Sequence, residues 1–557
     1  MNRKLVLIIL TLIIVIAGVL RLWQLGNVPP SPDWDEVALG YDAYSIIHTG
    51  RDEFGKFLPV VLRSFDDYKP ALYSYLAIPT VAVFGLNVFA VRLPSAIFGT
   101  IAVLAVFFLV EELFEKYKYR NQLSLVASFL MAISPWSLQF SRVGFEANVG
   151  DAMNILVALF FVKGLKRPWL LFVSALFAGL DIYVYQSEKV FTPLLVLALA
   201  IIYRKKLFSF SKKYILAVII FGLLVVAPMV FYIVQNRDAL LRVQGTSIFS
   251  QQTVLLANDI TKLERDRATH DTLGLIFDNR RFVYTKAVIA GYIVHFDPNW
   301  LFVTGDISRH HAPNMGLIYL FEIPFILLGL YYLIFGEFDR KTKLLVFLWF
   351  LLAPVPASIT TGVPHAVRTL NFLPTWQIFA AIGMLTFLIW VKKQDLRHNP
   401  YDIRKVVLVL GLVFYVLLSA LNVAYYLDQY FVQLNYYTSQ DWQYGYKQAV
   451  AEVESLQSKY KEIVVSDHSP LNKSYMFFLF YLKYPPAQYQ KIGEQSSGGF
   501  ASHHYFGKFI FRTIDWQKDS QTKGVLYIGT PDEIPAGSAM KTINNLDGTP
   551  AIRIAGT

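Results

Sequence analysis

Long runs of apolar residues without a charged side chain constrain this chain more than any other feature. Several windows of about 20 residues carry no charge, and a helix of that length crosses a hydrocarbon core about 30 Å thick. Of the 557 residues, 55% are hydrophobic and only 16% are charged. Soluble proteins of this size rarely have such a balance. The sequence therefore predicts a polytopic membrane protein.

The first apolar run, residues 5–23, follows two basic residues. A basic start resembles a secretory signal peptide, but no small-residue cleavage site follows and many further apolar runs do. We interpret this run as an uncleaved first span. The chain has no cysteine, which excludes disulfides, thiolate metal sites and cysteine nucleophiles.

The net charge of +11 comes from basic clusters in short segments between apolar runs, such as KYKYR (116–120), RKK (204–206) and RKTK (340–343). This is the positive-inside pattern of a membrane protein and not a nucleic-acid-binding face. This charge pattern predicts a cytoplasmic N terminus. It also predicts that the apolar stretch 71–86 forms a helix that lies in the outer interface of the membrane. The sequence predicts about eleven spans in all, at 5–23, 93–113, 122–140, 148–165, 169–186, 190–203, 214–234, 315–336, 344–359, 369–391 and 406–427.

Three segments outside the predicted spans are long enough to carry function. The outer loops 24–92 and 235–314 are rich in aromatic residues, and we expect packed, half-embedded helices in both. Beyond residue 427 the composition turns polar, with alternating helix and strand patterns. The predicted fold is an all-α membrane domain over 1–427 followed by a small extracytoplasmic α/β domain over 428–557.

The first outer loop places carboxylates directly after span one, in the sequence PPSPDWDE (29–36). Its prolines end the span, and Asp33 can cap a short helix with Asp35 and Glu36 in its first turn. Farther along, Lys69 precedes the interfacial helix, where its ammonium could meet a lipid phosphate. Simple solvation of an outer loop, and snorkelling of Lys69, are the alternatives.

Several stretches then become recognisable as a set. SPDWDE, DYKPALY and VRLPSAIFG occur in this order across one outer loop, and three longer stretches follow at 134–150, 183–204 and 362–376. Over most of residues 1–391 the sequence resembles bacterial members of the protein O-mannosyltransferase and aminoarabinose-transferase superfamily. These are membrane glycosyltransferases of the GT-C fold, related to glycosyltransferase family 39.

The resemblance implies a sugar donor linked to a polyprenyl phosphate, such as undecaprenyl phosphate, or to a pyrophosphate, and inverting transfer outside the cytoplasmic leaflet. By motif position Asp35, with Glu36 beside it, is the general base or orients the acceptor. A carboxylate suits this role because the attacking hydroxyl must lose its proton, whereas a phosphate leaving group needs none. Asp33 and Asp52 are the alternative bases.

Lys69 matches the lysine of the superfamily's Lys-Pro-Pro motif, which is associated with the lipid phosphate. Ala71 replaces the second proline. Tyr68 stands where aminoarabinose transferases carry a glutamate, and this departure puts a metal site built on that glutamate in doubt. No metal ligand is assigned, although carboxylates could hold Mg²⁺ or Mn²⁺ through water.

Other charged residues at outer positions are candidate contacts for the donor phosphate or sugar, because arginine suits phosphate through its planar fork. For Arg142 and Glu146, a structural ion pair between the two residues is an equal alternative to a donor contact. Adjacent histidines project in different directions, which disfavours a metal site of His310 with His311. The full set of contacts is Lys69, Arg142, Glu146, Arg309, His310, His365 and Arg368. Arg368 follows His365 by three residues, on one face of a predicted helix. Gln186, Glu188 and Lys189 could also meet the sugar or form a solvated turn.

These patterns predict a multi-pass enzyme of the plasma (inner) membrane that moves a sugar from a polyprenyl-phosphate carrier to a lipid, glycan or protein acceptor at the outer face. No phosphate loop of the GxxxxGK type is present, in agreement with a lipid-linked donor. A lipid or polysaccharide transporter, an assembly protein or a non-catalytic homologue are the alternatives. We expect the C-terminal domain to cover or guide the acceptor. Its histidines in SDHSP (466–470) and SHHYF (502–506) are interpreted as surface.

Overall fold

The computed structural model describes residues 1–65, 67–236, 245–250, 252–393, 403–492 and 504–557. The chain forms two compact units. Unit 1 comprises Met1–Ala17, Ile101–Ser137 and Gly150–Ala424, and unit 2 comprises Gly18–Thr100, Leu138–Val149 and Tyr425–Thr557. The first outer loop and the C-terminal part of the chain therefore belong to the same unit. Residues 502 and 503 of the SHHYF stretch lie outside the described residues.

The described residues contain seven helices long and apolar enough to cross a membrane, and an eighth if a bent pair counts as one span. The pair, Arg120–Ile133 with Pro135–Ser141, bends by 56°. The multi-pass character of the chain is thus confirmed. The seven helices are Arg3–Leu22, Val88–Leu113, Glu146–Gly164, Lys212–Gln235, Arg340–Ser358, Leu370–Lys393 and Val406–Thr438.

Two of the predicted spans form shorter helices than the apolar runs suggested. The runs 169–186 and 315–336 contain the helices Leu170–Asp181 and Leu320–Phe335, whereas the short run 190–203 forms a helix of similar length, Glu188–Ile202. At 1.5 Å per residue these three helices are about 18 to 24 Å long, less than the hydrocarbon thickness. The two longer runs overestimate helix length because they continue into turns that are themselves apolar or aromatic.

The first outer loop folds into a helix, a hairpin and a second helix, all within unit 2. The helix Trp34–Thr49 is followed by strands β1 (Val61–Ser64) and β2 (Asp67–Pro70), which pair antiparallel with Leu62 opposite Lys69. The stretch predicted to lie in the interface forms the 13-residue helix Leu72–Phe84, which is too short to span. Ser74 Oγ on this helix donates to Leu39 O at 3.0 Å, a bond that holds it against the helix Trp34–Thr49.

The second long loop, predicted over 235–314, is also largely helical where it is described. Its polar helix Gln252–Thr269 continues into Thr272–Phe277 and Arg280–Ile293. Single turns of helix then follow. Shorter helices elsewhere in the chain are Arg204–Leu207, Val355–Ser358, Leu434–Thr438, Tyr446–Leu456, Ser474–Tyr481, Pro486–Gln490 and Trp516–Asp519.

The C-terminal part of unit 2 is the predicted α/β region. Its described strands are β3 (Glu462–Val465), β4 (His504–Phe506), β5 (Phe509–Phe511), β6 (Val525–Gly529), β7 (Lys541–Asn544) and β8 (Pro550–Gly556). These six strands form one mixed sheet in the order β4-β5-β3-β6-β8-β7. β3 and β6 pair in parallel, with Ile463 opposite Leu526. The predicted fold class, a helical membrane protein with a small C-terminal α/β region, is confirmed.

Candidate functional site

A capping box sets the geometry of the first-loop carboxylates. Asp35 N–H donates to Asp33 Oδ1 at 2.8 Å, and Asp33 N–H donates to Glu36 Oε2 at 2.9 Å. These bonds satisfy backbone donors that the start of a helix leaves without partners. Asp33 therefore caps the helix as its position in the sequence predicts. Asp35 and Glu36 occupy the first turn.

Glu36 is held by the protein on every side. Arg92 Nε lies 2.8 Å from Oε1 and Arg92 Nη2 lies 3.0 Å from Oε2, and both side chains are buried. Gly144 N–H also donates to Oε1 at 2.8 Å. A Cβ on Gly144 would lie 3.2 Å from the Glu36 side chain, so a larger residue there would crowd this contact. Glu36 anchors the loop, and a catalytic part for it stays a prediction.

Asp35 forms an ion pair with Lys69. Lys69 Nζ donates a hydrogen bond to Asp35 Oδ1, and Lys69 is fixed in place by the β1–β2 hairpin. The Asp35 side chain is 24% exposed, whereas that of Lys69 is 5% exposed. Lys69 Nζ also lies 5.6 Å from the centre of the Phe65 ring. The structure thus joins two residues that the sequence places 34 positions apart, with the carboxylate the more accessible of the two.

The alternative bases are less well placed. Asp33 is 1% exposed and its carboxylate caps the helix. Asp52 is equally buried, and its Oδ1 accepts from Phe54 N–H at 3.1 Å and Lys56 N–H at 2.8 Å. Both carboxylates hold the backbone in shape. Among the three aspartates considered as bases, Asp35 alone combines partial exposure with a cationic partner.

Arg142 is engaged by backbone rather than exposed to a ligand. Its Nη1 donates to Leu20 O at 2.6 Å and its Nη2 donates to Trp23 O at 2.7 Å. The guanidinium carbon lies 4.7 Å from the centre of the Phe431 ring. Glu146 is buried in the first turn of the helix Glu146–Gly164. Arg142 links the end of span one to the C-terminal part of unit 2, and a phosphate contact for it stays a prediction.

In unit 1 the residues Asp306, His310 and His365 form what we call the histidine cluster. His310 Nδ1 lies 2.8 Å from Asp306 Oδ2, and Ala366 N–H donates to the same oxygen at 2.7 Å. The rings of His310 and His365 are 5.1 Å apart, and His295 Nε2 accepts from His365 N–H at 3.2 Å. Sequence reasoning named both histidines of the cluster but missed Asp306. The D-x₃-H spacing was the available signal.

The electrostatics of the histidine cluster favour neutral imidazoles. Burial lowers the pKa of His310, although the hydrogen bond with Asp306 opposes this. Burial, with a smaller contribution from Arg368, also lowers the pKa of His365, and burial lowers that of His295 to about 4. Burial alone would raise the pKa of Asp306, but its bonds with His310 and Ala366 N–H outweigh this and lower it. A neutral imidazole is the form that binds metal ions.

One ligand atom from each residue of the histidine cluster lies within 4.8 Å of the others. Among the described residues this is the one group of three or more metal-ligating side chains that meets this distance. His311 does not join it: its Nδ1 lies 2.7 Å from Ala312 O. Arg309, beside His310, is half-buried.

Arg368 lines a cavity of about 100 Å³ in unit 1, together with Gln186, Ser187 and Thr360. Its Nη1 donates to Thr360 Oγ1 and to Thr361 O, both at 2.6 Å. The expectation that Arg368 and His365 share one helical face is wrong, because residues 364–369 form turns before the single helical turn Leu370–Phe372. Pro364 removes a backbone donor there and disfavours a helix.

Comparisons with known proteins place this geometry in a structural class. Residues 68–232 match the family described as dolichyl-phosphate-mannose-protein mannosyltransferase. The structure is similar to that of ArnT from Cupriavidus metallidurans bound to undecaprenyl phosphate, with 12% identity, 100% of this chain and 98% of that chain covered, and a TM-score of 0.54. The apo state of ArnT matches with 11% identity, coverage of 99% and 98%, and a TM-score of 0.53. The chain has the GT-C fold seen in ArnT.

Two further comparisons complete this picture. The archaeal oligosaccharyltransferase AglB from Archaeoglobus fulgidus, in complex with an inhibitory peptide and a dolichol-phosphate, matches with 12% identity, 95% of this chain and 69% of that chain covered, and a TM-score of 0.49. No curated protein matches this sequence. The similarity to ArnT confirms the fold that the sequence resemblance implied.

The family match includes some of the candidate residues and leaves others out. Lys69 and Arg142 lie within residues 68–232, whereas Asp35 precedes them and the histidine cluster and Arg368 follow. Glu188 also lies within the match and is not a solvated turn residue: it is fully buried and accepts from Asn154 Nδ2 at 2.7 Å. It also accepts from Asn371 Nδ2, so it links three segments of unit 1, which its outer-turn position in the sequence did not indicate.

Proposed function

We propose that this chain transfers a sugar from a polyprenyl-phosphate carrier to an acceptor, with Asp35 as the general base. The observation that carries the proposal is the pairing of the partly exposed Asp35 carboxylate with the buried Lys69 ammonium. The family description names a dolichyl-phosphate sugar donor, and the structurally similar ArnT binds undecaprenyl phosphate. Both are polyprenyl phosphates, and this chemistry supports the same donor class here.

The ion pair suits a site that waits for an anionic donor. In the absence of donor, Lys69 neutralises Asp35 and neither charge is left without a partner in a partly buried place. A donor phosphate carries the negative charge that the Lys69 ammonium can bind instead. This exchange releases the Asp35 carboxylate next to the reacting sugar. The base becomes available when the donor is bound.

The proposed reaction is a single displacement at the anomeric carbon. The acceptor hydroxyl oxygen forms a bond to this carbon while the bond from the carbon to the phosphate oxygen breaks, and the bonding electrons leave with the phosphate. Asp35 takes the hydroxyl proton as the bond forms. The products are the glycosylated acceptor and the polyprenyl phosphate, whose charge Lys69 stabilises. No acid is needed for this leaving group.

The neighbouring carboxylate explains why Asp35 rather than Glu36 is the proposed base. Glu36 already accepts hydrogen bonds from Arg92, Gly144 N–H and Asp33 N–H. Taking up a proton would break a buried ion pair, which is costly. Glu36 therefore fixes the helix start and Asp35 carries the chemistry.

A divalent cation has a candidate place in the histidine cluster of unit 1. Two imidazoles and one carboxylate fit Zn²⁺ better than the Mg²⁺ or Mn²⁺ considered from the sequence, because those ions prefer oxygen ligands. No described residue hydrogen-bonds to the buried His365 Nδ1, which leaves that nitrogen for a ligand. Asp306 orients His310 through its Nδ1.

The proposal includes the remaining assignments from the sequence. Arg368, with His365 and Arg309, is proposed to contact the donor phosphate or sugar, since its cavity offers a guanidinium and hydroxyl groups. The basic clusters between spans support a cytoplasmic N terminus and an extracytoplasmic C-terminal domain in the plasma membrane. The acceptor hydroxyl can belong to a lipid, a glycan or a protein.

The test uses the purified full-length protein with a radiolabelled polyprenyl-phosphate-linked sugar. Asp35→Asn removes the base but keeps the shape of the side chain, and we expect transfer to fall by about 10²- to 10⁴-fold while donor binding persists. Asp441→Asn, at an exposed position of the same unit, is the matched control and keeps full activity. Full transfer by Asp35→Asn would refute the base. Absence of transfer by the wild-type protein from every polyprenyl-phosphate sugar tried would refute the function.

A further inference from the structure

Lys473, in the C-terminal part of the chain, lies against two aromatic rings of the first outer loop. Its Nζ is 4.4 Å from the centre of the Trp34 ring and 4.3 Å from that of Phe65. The residue is only 7% exposed. A lysine is almost never buried to this degree unless its ammonium has a defined environment. All three residues belong to unit 2.

The backbone fixes Lys473 in this place. Its φ of 63° and ψ of 27° are left-handed values, which cost energy for any residue other than glycine. The following helix Ser474–Tyr481 is buried through residue 480, and Tyr446 OH donates to Leu471 O at 2.7 Å just before it. The backbone therefore fixes the position of the Lys473 ammonium against the two rings, unlike that of a flexible surface lysine. Strain of this kind is concentrated at functional sites.

The Phe65 ring connects Lys473 to the proposed active site. Lys69 Nζ lies 5.6 Å from the centre of the same ring, and Lys69 is the partner of Asp35. Trp34, the other ring against Lys473, directly precedes Asp35 in the chain. Two largely buried ammonium groups thus lie against the same ring, close to the proposed base in the chain. A phosphate has several acceptor oxygens, so one phosphate group can bind more than one ammonium group.

We propose that Lys473 binds the donor phosphate together with Lys69, so that the C-terminal region completes the active site. This inference rests on the proposed function and assigns a residue that sequence reasoning did not select. The ligand is the phosphate of a polyprenyl carrier, held between two ammonium groups. Trp34 and Phe65 orient the Lys473 ammonium through their ring faces. The C-terminal region then contributes directly to donor binding, in addition to covering or guiding the acceptor.

The experiment measures the affinity of the full-length protein in lipid nanodiscs for undecaprenyl phosphate without a sugar. We expect Lys473→Gln to weaken binding about tenfold or more and to raise the KM for the donor with a smaller effect on kcat. Lys473→Arg keeps the charge and restores binding to within about threefold of the wild-type value. Lys523→Gln, at an exposed position of the same unit, is the control and binds normally. Unchanged affinity of Lys473→Gln would overturn the inference.

A second measurement covers the case in which Lys473→Gln does not fold. Amine-reactive labelling of the wild-type protein, followed by mass spectrometry, compares each lysine with and without undecaprenyl phosphate. We expect Lys473 and Lys69 to be protected by the lipid, and Lys523 to react equally in both states. Equal labelling of Lys473 in both states would contradict its role, as would a lower melting temperature of Lys473→Gln with unchanged affinity.

The same assay separates this inference from the proposed function. If the wild-type protein does not bind undecaprenyl phosphate, the proposed donor class is wrong, and the inference fails with it. If the wild type binds and Lys473→Gln binds equally well, only the inference is wrong. Competition by inorganic phosphate identifies the source of the anion: we expect weak competition, because the carrier lipid adds its own contacts. Inorganic phosphate that binds as tightly as the lipid would overturn the carrier as the ligand.

Discussion

Arg92 Nε lies 2.8 Å from Glu36 Oε1, and neither side chain reaches solvent. Arg92 also donates to Leu25 O at 3.1 Å and to Ser31 O at 2.8 Å, so one guanidinium holds the chain before the first-loop prolines and between them. The neighbouring Asp35 carries the same charge as Glu36 but is partly exposed. Of these two adjacent carboxylates, Glu36 anchors the loop and Asp35 is partly exposed at its surface.

Breaking this anchor should destabilise the protein. Glu36→Gln leaves the Arg92 charge buried without its counter-charge, and loss of one partner from such a pair costs about 3–5 kcal/mol. We expect the detergent-purified variant to have a clearly lower melting temperature than the wild-type protein. The measurement is the fraction of protein that remains monodisperse after heating.

Glu454→Gln is the matched control, because Glu454 is exposed on a helix of the same unit. We expect it to melt with the wild-type protein. A Glu36→Gln variant as stable as this control would mean that the ion pair does not anchor the loop. Asp35→Asn is expected to lower the melting temperature less than Glu36→Gln, because Asp35 is partly exposed whereas Glu36 is buried.

Removing the Lys69 charge should impair donor binding more than the sugar transfer that follows it. Lys69→Gln is expected to raise the KM for the lipid-linked donor about tenfold or more, because a charge-assisted contact to phosphate is lost. Lys69→Arg should recover part of this loss. The measurement is a full kinetic series with varied donor concentration.

Lys56→Gln is the control for Lys69, since Lys56 is exposed in the same outer loop. Its donor KM should equal that of the wild-type protein. An unchanged KM for Lys69→Gln would remove Lys69 from the donor site and leave its contact with Asp35 as a structural one.

The histidine cluster should bind one Zn²⁺ per chain. After dialysis against a chelator and then against Zn²⁺, we expect about one equivalent by elemental analysis in the wild-type protein and near loss of it in His310→Gln or His365→Asn. His311→Gln is the control, because His311 faces Ala312 O and lies outside the cluster. Equal zinc contents in all four proteins would show that the cluster is not a metal site.

The sequence predicted those parts of the site that depend on neighbours along the chain. Asp33 caps the helix Trp34–Thr49 because a cap needs only the next three residues. Lys69 and Asp35 lie 34 positions apart, and only a resemblance to known motifs connected them before the hairpin was visible. Lys473 and Trp34 are more distant still, and nothing local in the sequence indicates their contact.

The membrane segments show the same limit. Apolar composition found the long spans, such as Lys212–Gln235, because hydrophobicity alone decides them. It overestimated Leu170–Asp181, since hydropathy does not register where a helix ends in an apolar turn. Tertiary partners also decide the roles of charges: Glu188 is fully buried among amides although its position suggested an outer turn.

Buried carboxyls near the proposed active site should make stability depend on pH. Glu53 and Asp42 are each 1% exposed, and no described residue hydrogen-bonds to either Glu53 carboxylate oxygen. Burial, followed by repulsion from Asp42 and Asp52, raises the pKa of Glu53 well above its ordinary value of 4.5. Burial, followed by repulsion from Asp52, likewise raises the pKa of Asp42, although Lys69 opposes both shifts.

A carboxyl with a raised pKa holds its proton more tightly in the folded than in the unfolded state. Its stabilising effect is complete below the unfolded pKa and is lost as pH rises through the folded pKa. We therefore expect the wild-type melting temperature to fall by several degrees between pH 5 and pH 8. Glu53→Gln, which mimics the protonated form, should melt higher than the wild type at pH 8 and depend less on pH. Glu454→Gln should keep the full pH dependence of the wild-type melting temperature. If Glu53→Gln showed the same pH dependence as the wild type, ionisation of Glu53 would not destabilise the folded protein.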